Sequence, residues 1–265
     1  MIPKIVHYCW FGNNEKSETI KAYINTWKDV LKDYEFREWS EKDLDISLSD
    51  NIYVKEAYNA KKWAFVSDVF RLYALYTEGG IYLDTDVEVK KSFDDLLNLD
   101  FFIGSEKGKK SFNLGTAVIG ASKNNQIIED MLGAYQNRSF LKEDGSFDMS
   151  ANPIILGNIM KNYDISNDIY SSLYPFEFKE KSIIFPYNFF SYEASLSYAV
   201  HHFEGSWIDA YTLRKKVILP IWNNKCVHFY WYKSKNKKAK FISPLDKNVL
   251  EYNLNKYKFV IGITC

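Results

Sequence analysis

The stretch Gly79-Gly80-Ile81-Tyr82-Leu83-Asp84-Thr85-Asp86-Val87-Glu88-Val89 decides how this chain is read. Paired glycines punctuate the end of a helix. Ile81, Tyr82 and Leu83 favour a short buried strand. That strand gives out at Asp84 and Asp86, two carboxylates one residue apart, and a second apolar run follows. Side chains at i and i+2 point the same way along an extended chain, so both carboxylates are expected to converge on one point. Two hard oxygen ligands at a strand end suit Mg²⁺ or Mn²⁺, which keep positions open for a phosphate. An isolated Asp-x-Asp is better explained as a polar turn between hairpin strands, so the flanking chain has to decide.

Upstream of the glycines, the pattern from Val54 to Glu78 is helical. Val69, Leu72, Tyr73 and Tyr76 recur at i, i+3, i+4 and i+7. Ser67, Asp68 and Arg71 occupy a different stripe, where Asp68 and Arg71 are close enough to pair. On a surface such a pair is worth a few tenths of a kcal/mol. Here the helix runs straight into Gly79-Gly80, which brings the polar stripe near the two carboxylates.

The rest of the chain supplies alternating strands and helices. Lys4–Gly12 reads as a first strand entering a glycine turn, with Trp10 at its end as either a core residue or a stacking platform for a flat ring. Ser17 is placed to cap a helix with Ile20, Ile24, Trp27 and Leu31 on one face. Tyr34–Trp39 alternates as a second strand, so the order βαβα predicts a mostly parallel sheet. Phe101–Gly104 and Asn113–Gly120 are further strands, Asn125–Tyr135 is a helix, and Pro153 opens another. Tyr198–Trp207 is an apolar strand ending in His201, His202 and Glu204, then Gly205, Ser206 and Trp207. Alternation puts His201 and His202 on opposite faces.

Composition sets the limits. The chain has 265 residues, 46% of them hydrophobic and 17% aromatic, enough for a substantial core. Lys+Arg and Asp+Glu number 34 each, so no global field draws nucleic acid. The 3 cysteines, Cys9, Cys226 and Cys265, form neither a zinc pattern nor a disulfide framework, which fits a reducing compartment. With no apolar leader at the N-terminus and no run near the ~20 apolar residues of a spanning helix, a cytoplasmic protein is expected. The lysines from Lys233 to Lys240 would give it a peripheral contact with the membrane's inner face. Phosphate-loop and nucleophile-elbow motifs are absent from the sequence.

Trp63-Ala64-Phe65-Val66-Ser67-Asp68-Val69-Phe70-Arg71, followed by Gly79–Asp86, closely resembles glycosyltransferase family 32, the Asp-x-Asp sugar-binding-region enzymes. The family includes bacterial capsular polysaccharide transferases, and its core is similar to that of the clostridial toxin glucosyltransferases. Ile2–Gly12 and His201–Trp207 resemble its bacterial members. The resemblance covers about residues 1–210, with 211–265 left as an extension packed on the same domain.

The resemblance implies a GT-A (Rossmann-like) α/β domain with helices flanking the sheet. It also implies a divalent metal, Mn²⁺ or Mg²⁺, and a nucleotide-sugar donor, a UDP-sugar by preference. Transfer would proceed with retention, to a saccharide or lipid-linked saccharide acceptor in capsule or other surface-glycan synthesis. Asp84, Asp86 and His202 would hold the metal, with His201 and Glu204 as rivals for the third place. Asp68, Arg71 and Asp84 would be catalytic. Trp10 would stack on the base, Ser67 and Tyr82 would line the donor site, and Ser206 and Trp207 would contact the diphosphate from a closing loop. The competing readings are a metal-dependent nucleotide-sugar hydrolase, a protein-modifying glycosyltransferase effector and a carbohydrate-binding protein.

Overall fold

The apolar run after the glycines forms a central strand. The structure, a computed structural model, describes residues 1–44, 50–107, 112–204, 211–220, 226–234, 249–254 and 257–264. It comprises two compact units, Met1–Glu204 and Gly205–Cys265; the sequence reading put the division at 210/211.

The first unit is built on a sheet of β1 (Ile5–Cys9), β2 (Glu35–Trp39), β3 (Gly80–Leu83), β5 (Phe101–Lys107), β6 (Phe112–Ala121), β7 (Phe176–Lys179) and β8 (Ser182–Phe185). Its 7 strands lie in the order β2-β1-β3-β6-β5-β8-β7. Strands β2, β1 and β3 are mutually parallel, as are β5 and β8. Strand β6 runs against both β3 and β5, and β7 runs against β8. The sheet is therefore mixed, with β6 and β7 opposing the common direction. The short strands β4 (Val87–Val89) and β9 (Ala199–His201) pair antiparallel in a separate ribbon, with Val87 opposite His201.

Helices cover both faces. On one lie α2 (Ile52–Asn59), α3 (Trp63–Glu78), α4 (Gln126–Gly133) and α5 (Asn152–Met160), packed through Val69, Phe70, Leu72, Leu75, Ile128 and Leu156. On the other, α1 (Glu18–Val30) and α6 (Tyr187–Phe190) pack through Ile24, Trp27, Phe93, Phe102 and Phe190. Ser17 caps α1 by accepting from the Ile20 N–H at 3.3 Å. This layered α/β arrangement, its sheet mixed and its carboxylate pair just past a central strand, is the GT-A architecture that the resemblance implies.

The single long helix expected from Val54 to Glu78 is two helices. Lys61 takes the left-handed conformation, φ 57°. The Lys62 N–H reaches Ala57 O and the Lys61 N–H reaches Tyr58 O, both at 2.9 Å, which is a Schellman closure of α2. Glycine is the usual signal for that closure, and a lysine stands here.

The second unit holds β10 (Tyr211–Pro220), β11 (Cys226–Ser234), β12 (Val249–Leu254) and β13 (Tyr257–Thr264). They form an antiparallel sheet of 4 strands in the order β10-β11-β13-β12.

Candidate active site

Three elements deliver the site: the end of β3, one face of α3 and the β4–β9 ribbon. The parallel register pairs Val6 with Ile81 and His7 with Tyr82. Carried two steps further, it brings Cys9 level with Asp84, so the end of β1 lies beside the carboxylates. The turn that feeds β3 is anchored from β1. His7, fully buried, makes a 2.7 Å hydrogen bond from Nε2 to Gly79 O. Its Nδ1 accepts from the Trp39 indole at 3.2 Å. These two partners fit only the neutral imidazole protonated at Nε2. Burial accordingly lowers His7 to about 4. At Gly80, φ is 113°, and a Cβ would sit 2.6 Å from Ile5 O and 3.0 Å from His7 Nε2.

Asp84 and Asp86 do converge, but by a turn rather than by strand alternation. Strand β3 stops at Leu83, and the Val87 N–H closes back on Asp84 O at 3.0 Å. Trp27 holds the far side of that turn, donating to Val87 O at 2.8 Å. Asp84 faces α3: its Oδ1 lies 3.3 Å from Arg71 Nη2 and accepts from the Tyr82 hydroxyl at 2.9 Å. Asp86 faces β9: its Oδ1 lies 3.3 Å from His201 Nε2, and its Oδ2 accepts the Glu204 N–H at 2.7 Å.

Arg71 joins the parts. Its Nη2 donates to Asp68 Oδ1 at 2.8 Å and its Nη1 to Thr116 O at 2.6 Å, and its guanidinium carbon lies 4.7 Å from the Tyr82 ring centroid. The Asp68–Arg71 pair is not a surface bridge; the two residues are only 8% and 5% exposed. Burial pushes the Asp68 carboxyl up to about 6 in spite of Arg71. The same surroundings push the Cys9 thiol up to about 12, so it stays protonated.

Among the described residues, Asp84, Asp86 and His201 form the one group placed to share a metal ion, their ligand atoms all within 4.8 Å of one another. Two carboxylates and an imidazole are a donor set that fits a divalent metal ion. For Asp86, burial works against the charge, but the hydrogen bond and charge of His201 hold the carboxyl below its usual range. Burial likewise opposes the proton on His201, yet Asp86 and Glu106 together raise it to about 10.

The third position differs from the sequence expectation. His202 turns away: its Nε2 lies 3.0 Å from Glu88 Oε2, and its ring stacks on Tyr23 at 4.4 Å. The Val87–His201 register explains this, because it sets His201 beside Asp86 and alternation sends His202 to the other side. Glu204 reaches Asp86 through its backbone.

Trp10 sits half-buried at the end of β1, its indole donating to Asn14 O at 2.7 Å with Lys16 over the ring. The Ser67 hydroxyl donates to Trp63 O at 3.1 Å, one turn before Arg71 on α3. Tyr82 is buried beneath Asp84 rather than lining an open surface. Ser206 and Trp207 lie outside the described residues, as does most of the Lys233–Lys240 cluster.

The sequence reading missed Asn152. It opens α5, is 3% exposed, accepts from the Tyr135 hydroxyl at 2.7 Å and lowers the Asp68 carboxyl. Its Nδ2 has no partner within hydrogen-bond distance among the described residues. The position before Pro153 marked only a helix start, and nothing in the sequence tied it to Asp68.

This is a sheet-end site in which a buried Arg–Asp pair adjoins a candidate divalent-metal trio. Residues 17–102 match the family model described as "Glycosyltransferase sugar-binding region containing DXD motif", so this region of the chain is similar to that glycosyltransferase family. It is 32% identical over 135 residues to "Uncharacterized glycosyltransferase L373" of Acanthamoeba polyphaga mimivirus, covering 49% of this chain and 53% of that protein. To "Inositol phosphoceramide mannosyltransferase 3" of Schizosaccharomyces pombe it is 31% identical over 103 residues, 37% of this chain and 28% of that one. To "Subversion of eukaryotic traffic protein A" of Legionella pneumophila it is 28% identical over 170 residues, 54% of this chain and 26% of that one. The chain thus spans about half or less of the length of these relatives.

Proposed function

We propose that this protein is a metal-dependent glycosyltransferase that moves a sugar from a nucleotide-diphosphate donor, a UDP-sugar by preference, to a saccharide or lipid-linked saccharide with retention of configuration. The observation that carries the reading is the convergence of Asp84, Asp86 and His201 next to the buried Asp68–Arg71 pair.

Asp84, Asp86 and His201 would hold the ion. Bound there, Mn²⁺ or Mg²⁺ would stabilise the negative charge that grows on the diphosphate as the sugar departs. Asp68 accepts from sugar hydroxyls, with Asn152 beside it lowering its carboxyl. Arg71 fixes Asp68 and Asp84 in register through its planar fork. Trp10, at the end of β1, stacks on the base. Ser206 and Trp207, outside the described residues, would contact the diphosphate. The acceptor is activated by the leaving phosphate, so the reaction needs no protein nucleophile.

Surface-glycan synthesis on the cytoplasmic face of a membrane fits a lipid-linked acceptor, and the mannosyltransferase relative is named for a lipid one. A contact with that membrane would run through the Lys233–Lys240 cluster; among the described residues no helix is long and apolar enough to cross a membrane.

The test is a thermal-shift panel of UDP- and GDP-sugars with Mn²⁺, followed by assay of the stabilising donor. A transferase needs an acceptor for full turnover. Release of sugar to water at full rate without one would instead mark a hydrolase.

A further inference from the structure

An imidazole binds a metal through the nitrogen that carries the lone pair, and the partner of the other nitrogen decides which one that is. In this structure the other nitrogen of His201 has a carboxylate. Nδ1 lies 3.1 Å from Glu106 Oε1, while Nε2 lies 3.3 Å from Asp86 Oδ1. Glu106 stands near the end of β5 and His201 ends β9, two strands from different sheets.

The contact is built in three ways. The His201 N–H donates to Ser191 O at 3.2 Å, and the Ser191 hydroxyl donates to Ser105 O at 3.1 Å. The backbone of His201 is thereby tied to the residue next to Glu106. Across the sheet, Gly115 leaves room for the glutamate stem; a Cβ there would lie 2.9 Å from Glu106 Cγ. The Phe203 ring packs 4.0 Å from the imidazole, closing another side.

We propose that Glu106 is a positioning residue of this site: it accepts the Nδ1 hydrogen of His201 and so presents Nε2 to a divalent cation shared with Asp84 and Asp86. The inference rests on the reading of that trio as a metal site. Glu106 acts through the imidazole, its contact being with His201 Nδ1. A carboxylate partner also makes the imidazole a better donor to the metal. Gly115 belongs to the same device, since only a residue without a side chain lets the glutamate lie where it does.

The test is direct Mn²⁺ binding to the whole chain, followed by the electron paramagnetic resonance signal of the free ion, with circular dichroism to check folding. Glu106→Ala should weaken Mn²⁺ about 10- to 100-fold. Glu106→Gln should recover much of that loss, because its amide oxygen still accepts from Nδ1. Gly115→Ala should weaken binding with no change of charge. In a His201→Ala background, Glu106→Ala should cost little more. Wild-type affinity in Glu106→Ala, or an equal loss with and without His201, would overturn the proposal while leaving the metal trio intact. If Glu106→Ala does not fold, wild-type affinity in Gly115→Ala would overturn it. Failure of the wild-type protein to bind Mn²⁺ would overturn the trio itself and the proposal with it.

Discussion

Arg71 and Asp84, 13 positions apart in sequence on a helix and just past a strand, form an ion pair with Nη2 3.3 Å from Oδ1. The same guanidinium holds Asp68, so one buried cation orients an acid on α3 and an acid at the end of β3. Removing one partner of a buried pair leaves uncompensated charge and typically costs 3–5 kcal/mol. Arg71→Ala should therefore lower the denaturation midpoint strongly as well as abolish turnover. Arg71→Lys should restore much of the stability but little activity, since an ammonium cannot serve Asp68, Asp84 and Thr116 O from one plane. Urea unfolding beside steady-state kinetics separates the two effects.

Asp86 is the carboxylate with the firmer hold on the ribbon, gripped by His201 and by the Glu204 N–H. Asp86→Asn keeps the shape and removes the charge. It should weaken Mn²⁺ by at least about tenfold, the equivalent of roughly 1.4 kcal/mol. His201→Ala should weaken Mn²⁺ measurably and His202→Ala much less, as isothermal titration calorimetry would show.

His7 sets a pH limit on folding. Its folded value of about 4 lies below the ordinary 6.5, so between these the unfolded chain binds the extra proton. Its contribution is fully present above pH 6.5 and is lost as pH falls through about 4. The gap corresponds to roughly 3 kcal/mol. Glu78 lies 4.0 Å from Nδ1, and Arg37, paired with Glu78, stands nearby. His7→Gln should flatten the dependence of unfolding free energy on pH between 6.5 and 4 relative to wild type.

Gly80 is the narrowest point of the turn into β3. Gly80→Ala would force a side chain into φ 113° and against Ile5 O. A loss of at least about 2 kcal/mol is expected, from left-handed strain together with overpacking, measured by thermal or urea unfolding.

Much of this architecture could be read from local signals. Ser17 announced α1, the apolar run Ile81–Leu83 announced β3, and the polar stripe of Ser67, Asp68 and Arg71 announced the helical wall of the site. What stayed hidden depends on contacts distant in sequence or on atypical local chemistry. The break between α2 and α3 uses a lysine where glycine is usual. The convergence of Asp84 and Asp86 comes from a turn held by Trp27, not from strand alternation. The choice between His201 and His202 is made by the register of β9 on β4, and those strands lie more than 100 residues apart. Asn152 joins Asp68 only through tertiary packing.

On the function proposed above, Asp84 and Asp86 hold a metal-bound diphosphate for sugar transfer. Its most direct test is release of nucleotide diphosphate from the stabilising nucleotide sugar, measured with acceptor, with Mn²⁺ or EDTA, in wild type and Asp86→Asn. Turnover should stop in EDTA, return with Mn²⁺ and be nearly absent in Asp86→Asn. Undiminished turnover in EDTA, or in Asp86→Asn, would contradict that function.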